Sequence, residues 1–397
     1  MNLLYSAFIR EDSEAKGFIK KVISQCHTFR KEFENVYLYL SRTDEAVLYK
    51  VEKDSVQEIE TFKYNKLSIY REKSKIRKIR GFLRYNSFLN HLNKIIYTYK
   101  IDVLYLRNSH PSRKLMNILD NKKLITILEY PTYPYEQEYK KIKPKIEQII
   151  FWNHGPKKVE NLVDLVVGIS AEKNLKVPKN YILINNGVQL ENIMIKRQKE
   201  KNHVNLLSIA NIALWHGYDR IIKGLYEYYK NNPEKEVYYH CVGKGPELTN
   251  LKELTKKLNL EKYVIFHGTK TGEELDEVVD ISDIAFGSLG FHRTGLTGGS
   301  PLKAREYCAR GIPFVISYDD WDFPESFPFV YIIPNDDSPV DINEVIEWYE
   351  KLLKEHPNYS LEMRKYAEDN LSWDAKMKPV IEKIKEIAKE KERKSLT

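Results

Sequence analysis

Short apolar runs alternate with amphipathic helical patterns along most of this chain, and this alternation restricts the possible fold more than any other feature. Runs such as Leu3–Ile9, Val36–Leu40 and Val204–Ala210 are rich in branched residues and bounded by turn residues, which is typical of buried strands. Helical patterns follow most of these runs. The sequence therefore predicts an α/β fold built from doubly wound, Rossmann-like sheets.

The alternation occurs twice, once on each side of a polar stretch at Lys196–His203 that we interpret as a linker. A chain of 397 residues is long enough for two domains. We expect an N-terminal domain over 1–195 and a C-terminal domain over 196–372, with a ligand cleft between them. The stretch 373–397 is predicted to be a charged helix that packs back on the N-terminal domain.

The segment Gly287–Val315 reads GSLGFHRTGLTGGSPLKAREYCARGIPFV and is the most informative loop of the sequence. It predicts the end of a strand, a glycine-rich loop, a helix and a second buried strand. Ser300 is expected to cap the helix, with Pro301 at its first position. Gly311 is expected to end the helix.

The residues around this helix start suit a nucleotide diphosphate. Free N–H groups at a helix N-terminus bind anions, and Gly298 and Gly299 allow a ligand to approach the backbone closely. Lys303 would neutralise phosphate charge, and Glu306 on the same helix face would hold ribose hydroxyls. The alternative interpretation is a capped amphipathic helix with a solvated charged face.

Polar residues also follow two predicted strands of the first half. Val103–Leu106 leads to Arg107 and His110, and Leu124–Leu128 leads to Glu129. Ligands bind at the carboxyl ends of strands in parallel α/β sheets, so these three side chains are predicted to face the cleft.

The string EYPTYPYEQE, at residues 129–138, combines two prolines with three tyrosines. Tyr133 and Tyr135 offer the aromatic and hydroxyl surface that suits a sugar-like acceptor, and a rigid structural turn is the alternative. Gly17 follows the first strand and either lets a ligand lie against that turn or is a simple loop glycine.

The formal net charge is +8, from 64 basic and 56 acidic residues, which indicates an anionic partner such as a phosphorylated ligand or an acidic membrane surface. Lys63–Arg84 is a basic amphipathic stretch that suits an anionic membrane, or alternatively a solvated helix covering the sheet. Signatures of nucleic-acid-binding modules are missing, so no nucleic-acid partner is predicted.

Three distant cysteines, Cys26, Cys241 and Cys308, argue against a disulfide framework and fit a reducing compartment. The sequence has neither the long apolar core of a signal peptide nor an apolar run of the roughly 20 residues that span a bilayer. A cytoplasmic protein, at most peripheral on the inner face of the plasma membrane, is expected.

The order of motifs in the second half resembles a known family. These motifs are SIANIALWHG at 208–217, VGKGPEL at 242–248, FHG at 266–268 and SPLKAREYCARGIPFV at 300–315. Together they are similar to the group 1, or family 4, glycosyltransferases of the GT-B fold, which are retaining enzymes that use nucleotide sugars. EYPTYPYEQE and Asn186-Gly187 resemble a subgroup from bacterial surface-polysaccharide loci.

The resemblance implies roles for individual residues. Glu306 matches the second glutamate of the family's E-x7-E motif, which holds the nucleotide ribose. The first glutamate would lie at Gly298, so the contacts to the donor sugar depart from the pattern. Glu129 falls near a functional histidine of many relatives, and we predict a catalytic role for it.

The family's phosphate-binding arginine and lysine correspond to Asn211 and His216. Arg220, Arg293 and Lys303 are the candidate replacement cations, and we predict that Arg293 and Lys303 neutralise the leaving diphosphate. The loop at Thr269 and Lys270 matches the place where the family holds the base. The remaining predicted donor-binding residues belong to the same motifs: Gly243, Gly299, Ser300 and Leu302.

The resemblance implies a glycosyltransferase of surface-polysaccharide synthesis, with a UDP-sugar as donor and a glycan or lipid-linked acceptor. No further cofactor and no metal are expected, and the pairs Asp319-Asp320 and Asp336-Asp337 are interpreted as surface loops. Two alternatives remain open at this stage: a nucleotide-sugar epimerase of the same fold, and a non-catalytic GT-B partner subunit suggested by Gly298, Asn211 and His216.

Overall fold

The computed structural model describes residues 1–10, 16–65, 77–107, 111–134, 155–170, 175–191, 193–197 and 202–396. The chain divides into two compact units. The N-terminal unit comprises Met1–Ser170, Asn174–Ile184 and Lys376–Thr397, and the C-terminal unit comprises Ala171–Lys173 and Asn185–Ala375.

The sheet of the N-terminal unit has the strand order β4-β3-β2-β1-β5-β6-β7-β8. The bounds are Asn2–Arg10 (β1), Asn35–Ser41 (β2), Glu45–Val51 (β3), Val56–Lys63 (β4), Val103–Arg107 (β5), Ile125–Tyr133 (β6), Leu165–Ser170 (β7) and Tyr181–Ile184 (β8). Strands β1, β2 and β5 to β8 pair in parallel, whereas β3 and β4 pair antiparallel at one edge.

The sheet of the C-terminal unit is parallel throughout and has the order β11-β10-β9-β12-β13-β14. Its strands are His203–Asn211 (β9), Glu236–Lys244 (β10), Val264–Gly268 (β11), Ile284–Phe286 (β12), Phe314–Ile316 (β13) and Val330–Ile332 (β14). The strand order reverses between β9 and β12, and such a switch point in a doubly wound sheet is where ligands bind.

The described helices connect and cover the strands. They are Lys16–Glu32 (α1), Arg77–Thr98 (α2), Arg113–Leu119 (α3), Gly155–Glu160 (α4), Asp219–Lys230 (α5), Leu248–Lys257 (α6), Glu273–Ile281 (α7), Leu302–Arg310 (α8), Ile342–Glu355 (α9), Tyr359–Tyr366 (α10) and Trp373–Leu396 (α11). None of these described helices is long and apolar enough to cross a membrane.

Helix α11 packs with the N-terminal unit over most of its length, as its apolar spacing requires. Met377, Val380 and Ile384 are fully buried, and they lie three and four residues apart on one helix face. Lys391 near the helix end donates to the Leu124 carbonyl at 2.8 Å and contacts Asp164 at 2.9 Å. Burial of each such apolar side chain stabilises the unit by roughly 2 kcal/mol.

The boundary between the units lies between Ile184 and Asn185, whereas the sequence placed it at residue 195. The segment between these positions is fixed to the C-terminal unit. Arg364 donates to the carbonyls of Leu190 and Ile193, at 3.2 and 2.9 Å. Lys196, at the start of the predicted linker, is buried and its N–H donates to the Arg310 carbonyl at 2.7 Å.

Four elements differ from the sequence-based expectation. The antiparallel strands β3 and β4 were not predicted; β4 is largely exposed, so its apolar signal is weak. Strand β6 continues to Tyr133 instead of ending at Leu128, so the first part of the EYPTYPYEQE string is strand. Helix α8 begins at Leu302 and Pro301 occupies the N-cap position, with φ −65° and ψ 136°.

Gly243 shows why the end of β10 needs glycine. Its φ is +130°, and a Cβ there would lie 1.8 Å from the Ala210 carbonyl oxygen of the neighbouring strand. A side chain would force β9 and β10 apart at the carboxyl end of the sheet, because two non-bonded atoms cannot approach so closely.

Substitution Gly243→Ala is expected to destabilise the C-terminal unit by roughly 3 kcal/mol or more. Gly268→Ala is the matched control, because Gly268 also has a positive φ, +67°, but a Cβ there meets nothing within 4 Å. That variant is expected to lose only about 1 kcal/mol. Urea unfolding measures both; equal losses would contradict the steric argument.

Candidate nucleotide-sugar site

The carboxyl ends of β9 and β12 bring two loops together at the switch point of the C-terminal sheet. Asn211 ends β9, His216 lies in the loop after it, and the loop after β12 begins at Gly287. Their backbones are hydrogen-bonded: Leu289 N–H donates to the His216 carbonyl at 2.9 Å, and Gly290 N–H donates to the Trp215 carbonyl at 3.1 Å. Residues far apart in sequence thus share one edge of the sheet.

The glycine-rich part of the second loop is held by the loop after β13. Gly298 forms a parallel β-bridge with Asp319. Asp319 N–H donates to the Thr297 carbonyl and Gly299 N–H donates to the Asp319 carbonyl, both at 3.0 Å. The backbone of this loop is therefore fixed directly before the start of helix α8.

Ser300 does not cap helix α8, contrary to the sequence-based expectation. Its hydroxyl accepts from Asn186 N–H at 3.2 Å, and its carbonyl accepts from the Asn186 side-chain amide at 3.0 Å. No side chain caps the helix start. The first N–H groups of α8 therefore remain available to an anion. Leu302, at the first helical position, is exposed.

Lys303 is the cation closest to this helix start along the chain. It is partly exposed, and it forms no hydrogen bond or ion pair with any residue that the structure describes. Burial lowers the pKa of its ammonium group, while Glu306 acts in the opposite direction. A desolvated cation without a partner is well suited to bind an anionic ligand.

Glu306 lies one turn further along α8 and is partly exposed. One carboxylate oxygen accepts from Arg310 Nε at 3.1 Å, and Arg310 also contacts Asp276 at 2.5 Å. Helix α8 then ends at Gly311 in the left-handed conformation, with φ 68°, as predicted. The hydrogen bond from Arg310 thus orients the Glu306 carboxylate.

His216 is buried, and its Nδ1 accepts a hydrogen bond from the Ala213 N–H at 3.0 Å. The ring proton of the neutral imidazole must then lie on Nε2. Burial, together with the nearby Lys303 ammonium, lowers the pKa of His216 to about 4. At neutral pH this residue is an uncharged hydrogen-bond donor beside Lys303. Asn211, at the end of β9, is exposed.

Arg293 and Arg220 are already engaged by the protein. Arg293 makes hydrogen bonds to both Asp219 oxygens, at 2.7 and 3.0 Å, and to Asp337 at 2.7 Å; the Asp219 contacts raise its pKa. Arg220 is fully buried and donates to the carbonyls of Leu289, Pro334 and Ser338. We assign Arg220 a structural role instead of the predicted donor-binding role, because its guanidinium has no exposed surface.

The two remaining predicted donor contacts lie at neighbouring strand ends. Gly243 ends β10 and closes against β9, as described above. Thr269 and Lys270 follow β11; Thr269 is exposed, and the Lys270 ammonium lies 3.4 Å from Glu274. All these loops belong to the same carboxyl edge of the C-terminal sheet.

An open cavity of about 680 Å³ lies on the α5 and α6 side of the β9 loop, lined partly by Leu214, Gly217 and Leu251. Two of its charged groups, Asp219 and Lys223, are paired at 2.8 Å. Arg293 also lines it and is paired as described. These charged groups are thus already paired, unlike Lys303 at the start of α8, which pairs with no residue that the structure describes.

In the N-terminal unit, Glu129 is fully buried in the middle of β6. It forms an ion pair with Arg107 and accepts from Gln25 Nε2 at 2.8 Å and from the Tyr105 hydroxyl at 2.6 Å. These contacts leave no exposed surface on Glu129, so we assign it a structural role in place of the predicted catalytic one. Arg107, the other member of this ion pair, is 1% exposed.

Lys21 lies beside this buried pair and was not singled out in the sequence. Burial and the nearby Arg107 lower its pKa to about 7. Tyr133, predicted on the acceptor side, packs on the core of the N-terminal unit, with its ring 6.0 Å from that of Tyr181. Gly17 lies in the first turn of α1. His110 and Tyr135 lie outside the described residues.

The sequence also misplaced one acidic pair. Asp320 is buried, not on a surface loop, because the fully buried Arg305 of α8 makes an ion pair with it and contacts Asp322 at 2.5 Å. Burial raises the pKa of Asp320, and Arg305 opposes that shift. Among the described residues, no group of three or more histidine, cysteine, aspartate or glutamate side chains could hold a metal ion.

Residues 190–327 match the family model described as "Glycosyl transferases group 1". The matched residues lie in the C-terminal unit. No curated protein matches the sequence significantly. The predicted glycosyltransferase enzyme class is confirmed by the family match.

The whole chain is similar to solved glycosyltransferase structures. One is a glycosyltransferase from Rickettsia africae ESF-5, with 13% identity over 97% of this chain and 98% of that chain and a TM-score of 0.63. Anabaena HepE in complex with UDP shows 10% identity, 97% and 100% coverage and a TM-score of 0.61. Sucrose-phosphate synthase from Thermosynechococcus elongatus shows 11% identity, 98% and 99% coverage and a TM-score of 0.59. The predicted GT-B fold is confirmed.

The lowered pKa of His216 gives a first test. In an NMR titration, we expect a midpoint near 4, with the proton of the neutral ring on Nε2. The unfolded imidazole titrates near 6.5, so the unfolded state binds the proton first and the unfolding free energy falls as pH drops from about 6.5 to 4.

Substitution Lys303→Met is expected to raise this midpoint, because it removes a nearby positive charge. Lys354→Met, on the exposed face of α9, is the matched control and should leave the midpoint unchanged. A His216 midpoint near 6.5 in the native chain, or an identical response to both variants, would contradict this account of the site.

Proposed function

We propose that this chain transfers a sugar from a nucleotide diphosphate sugar, a UDP-sugar, to a glycan or lipid-linked acceptor. The observation that carries the proposal is the start of helix α8, where uncapped N–H groups, Lys303 and the Nε2–H of His216 lie at one sheet edge. Within the described part of the chain, Lys303 has no ion-pair partner. HepE was solved with UDP and with UDP-glucose, and this supports a nucleotide sugar as the donor.

The diphosphate is assigned to the N-terminus of α8. There the helix amides and Lys303 attract its negative charge, and neutral His216 donates one hydrogen bond. Gly298 is partly exposed, so a ligand can approach its backbone, whereas Gly299 is buried against Phe291 and its N–H is bonded to the Asp319 carbonyl. Because Lys303 forms no ion pair with a described residue, its charge needs no prior separation from a carboxylate of this part of the chain before it binds phosphate.

The nucleoside is assigned to the neighbouring part of the same edge. Glu306 accepts hydrogen bonds from the ribose hydroxyls, and Arg310 holds its carboxylate in place at 3.1 Å. The loop at Thr269 and Lys270 lies at the end of β11, where its backbone can contact the base. This assignment follows the family's motifs, which occur in the same order along this chain.

The residues suggest how the site accelerates the reaction. Breaking the sugar–phosphate bond leaves negative charge on the diphosphate, and fixed N–H dipoles and Lys303 stabilise that charge as it develops. Arg293 lies on the adjacent loop and would reach phosphate only after release from Asp219 and Asp337, so we assign Lys303 the larger effect. Retention of the anomeric configuration is proposed from the family resemblance.

Lys303→Ala is expected to weaken UDP binding by about 10-fold and to slow donor turnover by about 100-fold or more, because the leaving-group charge loses its cation. Glu306→Gln should weaken UDP binding by about 10-fold, through the ribose contact. Lys354→Ala is the matched control. Calorimetry with UDP and NMR of products from a UDP-sugar panel measure both effects.

The products also separate the alternatives. Free UDP supports transfer, an isomerised sugar with an intact diphosphate indicates an epimerase, and UDP binding without turnover of any donor indicates a non-catalytic partner subunit. Near-normal turnover in both Lys303→Ala and Glu306→Gln would refute the site assignment.

The proposed acceptor belongs to surface-polysaccharide synthesis and is presented at an anionic membrane surface. Part of the basic Lys63–Arg84 stretch lies outside the described residues. In the described part of α2, Phe82 and Leu83 are 60% and 36% exposed, although they are large apolar side chains. Apolar side chains beside basic ones suit peripheral binding to anionic lipid.

Phe82→Ser combined with Leu83→Ser is expected to reduce co-sedimentation with anionic vesicles of phosphatidylglycerol and phosphatidylcholine, because the apolar contact is lost. Tyr97→Ser, an equally exposed position near the other end of α2, is the control and should bind as the native chain does. If the double variant and the control bind equally, the membrane proposal fails.

A further inference from the structure

Asp319, in the loop after β13, has an exposed side chain that makes no hydrogen bond or ion pair with any described residue. Its backbone, in contrast, is fixed on both sides. Its N–H and carbonyl bond to Thr297 and Gly299, and it bridges to Gly298. A rigid backbone therefore presents an unoccupied carboxylate at the glycine-rich loop.

The direction of this carboxylate follows from the bridge. Directly paired residues of neighbouring strands project their side chains on the same face. A Cβ built on Gly298 would lie 3.8 Å from the Asp319 Cβ, which is the distance of adjacent side chains. The Asp319 side chain thus begins beside the point where a side chain at position 298 would begin. Position 298 is where the family pattern places a carboxylate and this chain has none.

The loop that carries Asp319 is tied to the helix that carries Lys303. Asp320 and Asp322 both bind the buried guanidinium of Arg305, which lies on α8. Acidic residues along this loop consequently have different surroundings: Asp320 and Asp322 are buried against Arg305, and Asp319 is exposed. The ion cluster fixes the position of Asp319 relative to the start of α8.

The chemistry of a carboxylate here selects its ligand. A carboxylate repels the phosphates that the α8 N-terminus attracts, but it accepts hydrogen bonds from neutral hydroxyl groups, two of which it can bind at once. In a nucleotide sugar, the hydroxyl groups next to the diphosphate on the side away from the nucleoside are those of the transferred sugar.

We propose that Asp319 binds hydroxyl groups of the donor sugar and replaces the carboxylate that is missing at Gly298. This inference rests on the proposed function, since it assumes that the diphosphate binds at the start of α8. Asp319 is then the residue that determines how the donor sugar is oriented, and Arg305 is the residue that positions it.

The test compares UDP with UDP-glucose and UDP-N-acetylglucosamine. Asp319→Asn and Asp319→Ala are expected to bind UDP within about 2-fold of the native affinity, because they leave the nucleotide contacts intact. Turnover of the preferred donor should fall by about 10- to 100-fold, the loss of a hydrogen bond to a charged acceptor. Glu325→Gln, an exposed acid in the same unit, is the control and should behave as the native chain does.

A second-site rescue makes the test specific. Adding Gly298→Glu to Asp319→Ala should restore a large part of donor turnover, because the new carboxylate starts beside the lost one. The Cβ at position 298 would lie 3.2 Å from the Asp319 carbonyl oxygen, so the loop must shift by a few tenths of an ångström. An unrelated structural defect in Asp319→Ala would not be repaired in this way.

The outcomes separate this inference from the proposed function. If the native chain binds UDP and turns over a donor but the Asp319 variants equal Glu325→Gln, the role of Asp319 is refuted and the function stands. Loss of UDP affinity in the Asp319 variants also refutes it, because the residue then acts on the nucleotide end or the fold. Failure of the native chain to bind UDP overturns both.

Discussion

The buried contact between Arg305 and two aspartates is the interaction on which the candidate site depends. Taking these charges out of water is costly, and only mutual pairing offsets the loss of hydration. Arg305 donates from both terminal nitrogens, so Asp320 and Asp322 share one guanidinium. The cluster joins α8 to the loop after β13, and through Asp319 it also fixes Gly298 and Gly299. Removing one partner of such a cluster destabilises a protein by roughly 3–5 kcal/mol.

The N-terminal unit uses the same kind of contact between β5 and β6. Glu129 and Arg107 form a buried ion pair, and Gln25 from α1 and Tyr105 from β5 satisfy the remaining carboxylate positions. The pair links the adjacent strands β5 and β6 to the helix that covers them. In both units, then, charged residues at strand ends fix the backbone from which loops extend.

The sequence could predict which residues are charged but not which of them are paired inside the protein. Strands such as β2 and β9, and the helix end at Gly311, were predicted correctly because apolar runs and glycine act locally. The sequence predicted that Glu129 and Arg220 face a ligand, yet both are buried and internally bonded. Whether a charge is paired depends on residues more than twenty or more than a hundred positions away, and no local pattern reports that. The carboxylate of Asp319 was missed for the same reason: its neighbour Gly298 is close only in the fold.

The net charge at the candidate site depends on which of its charged residues are already paired. Arg293 is neutralised by Asp219 and Asp337, and the lowered pKa of His216 leaves it uncharged at neutral pH. Lys303 therefore supplies the positive charge at the start of α8, together with the N–H groups of the helix. In the proposed reaction, negative charge develops on the leaving diphosphate. A cation that no described carboxylate neutralises, together with fixed N–H dipoles, stabilises this developing charge more than it stabilises the ground state. The same neutral surroundings let the Asp319 carboxylate lie nearby without forming an ion pair with a described residue, so it remains available to hydroxyl groups.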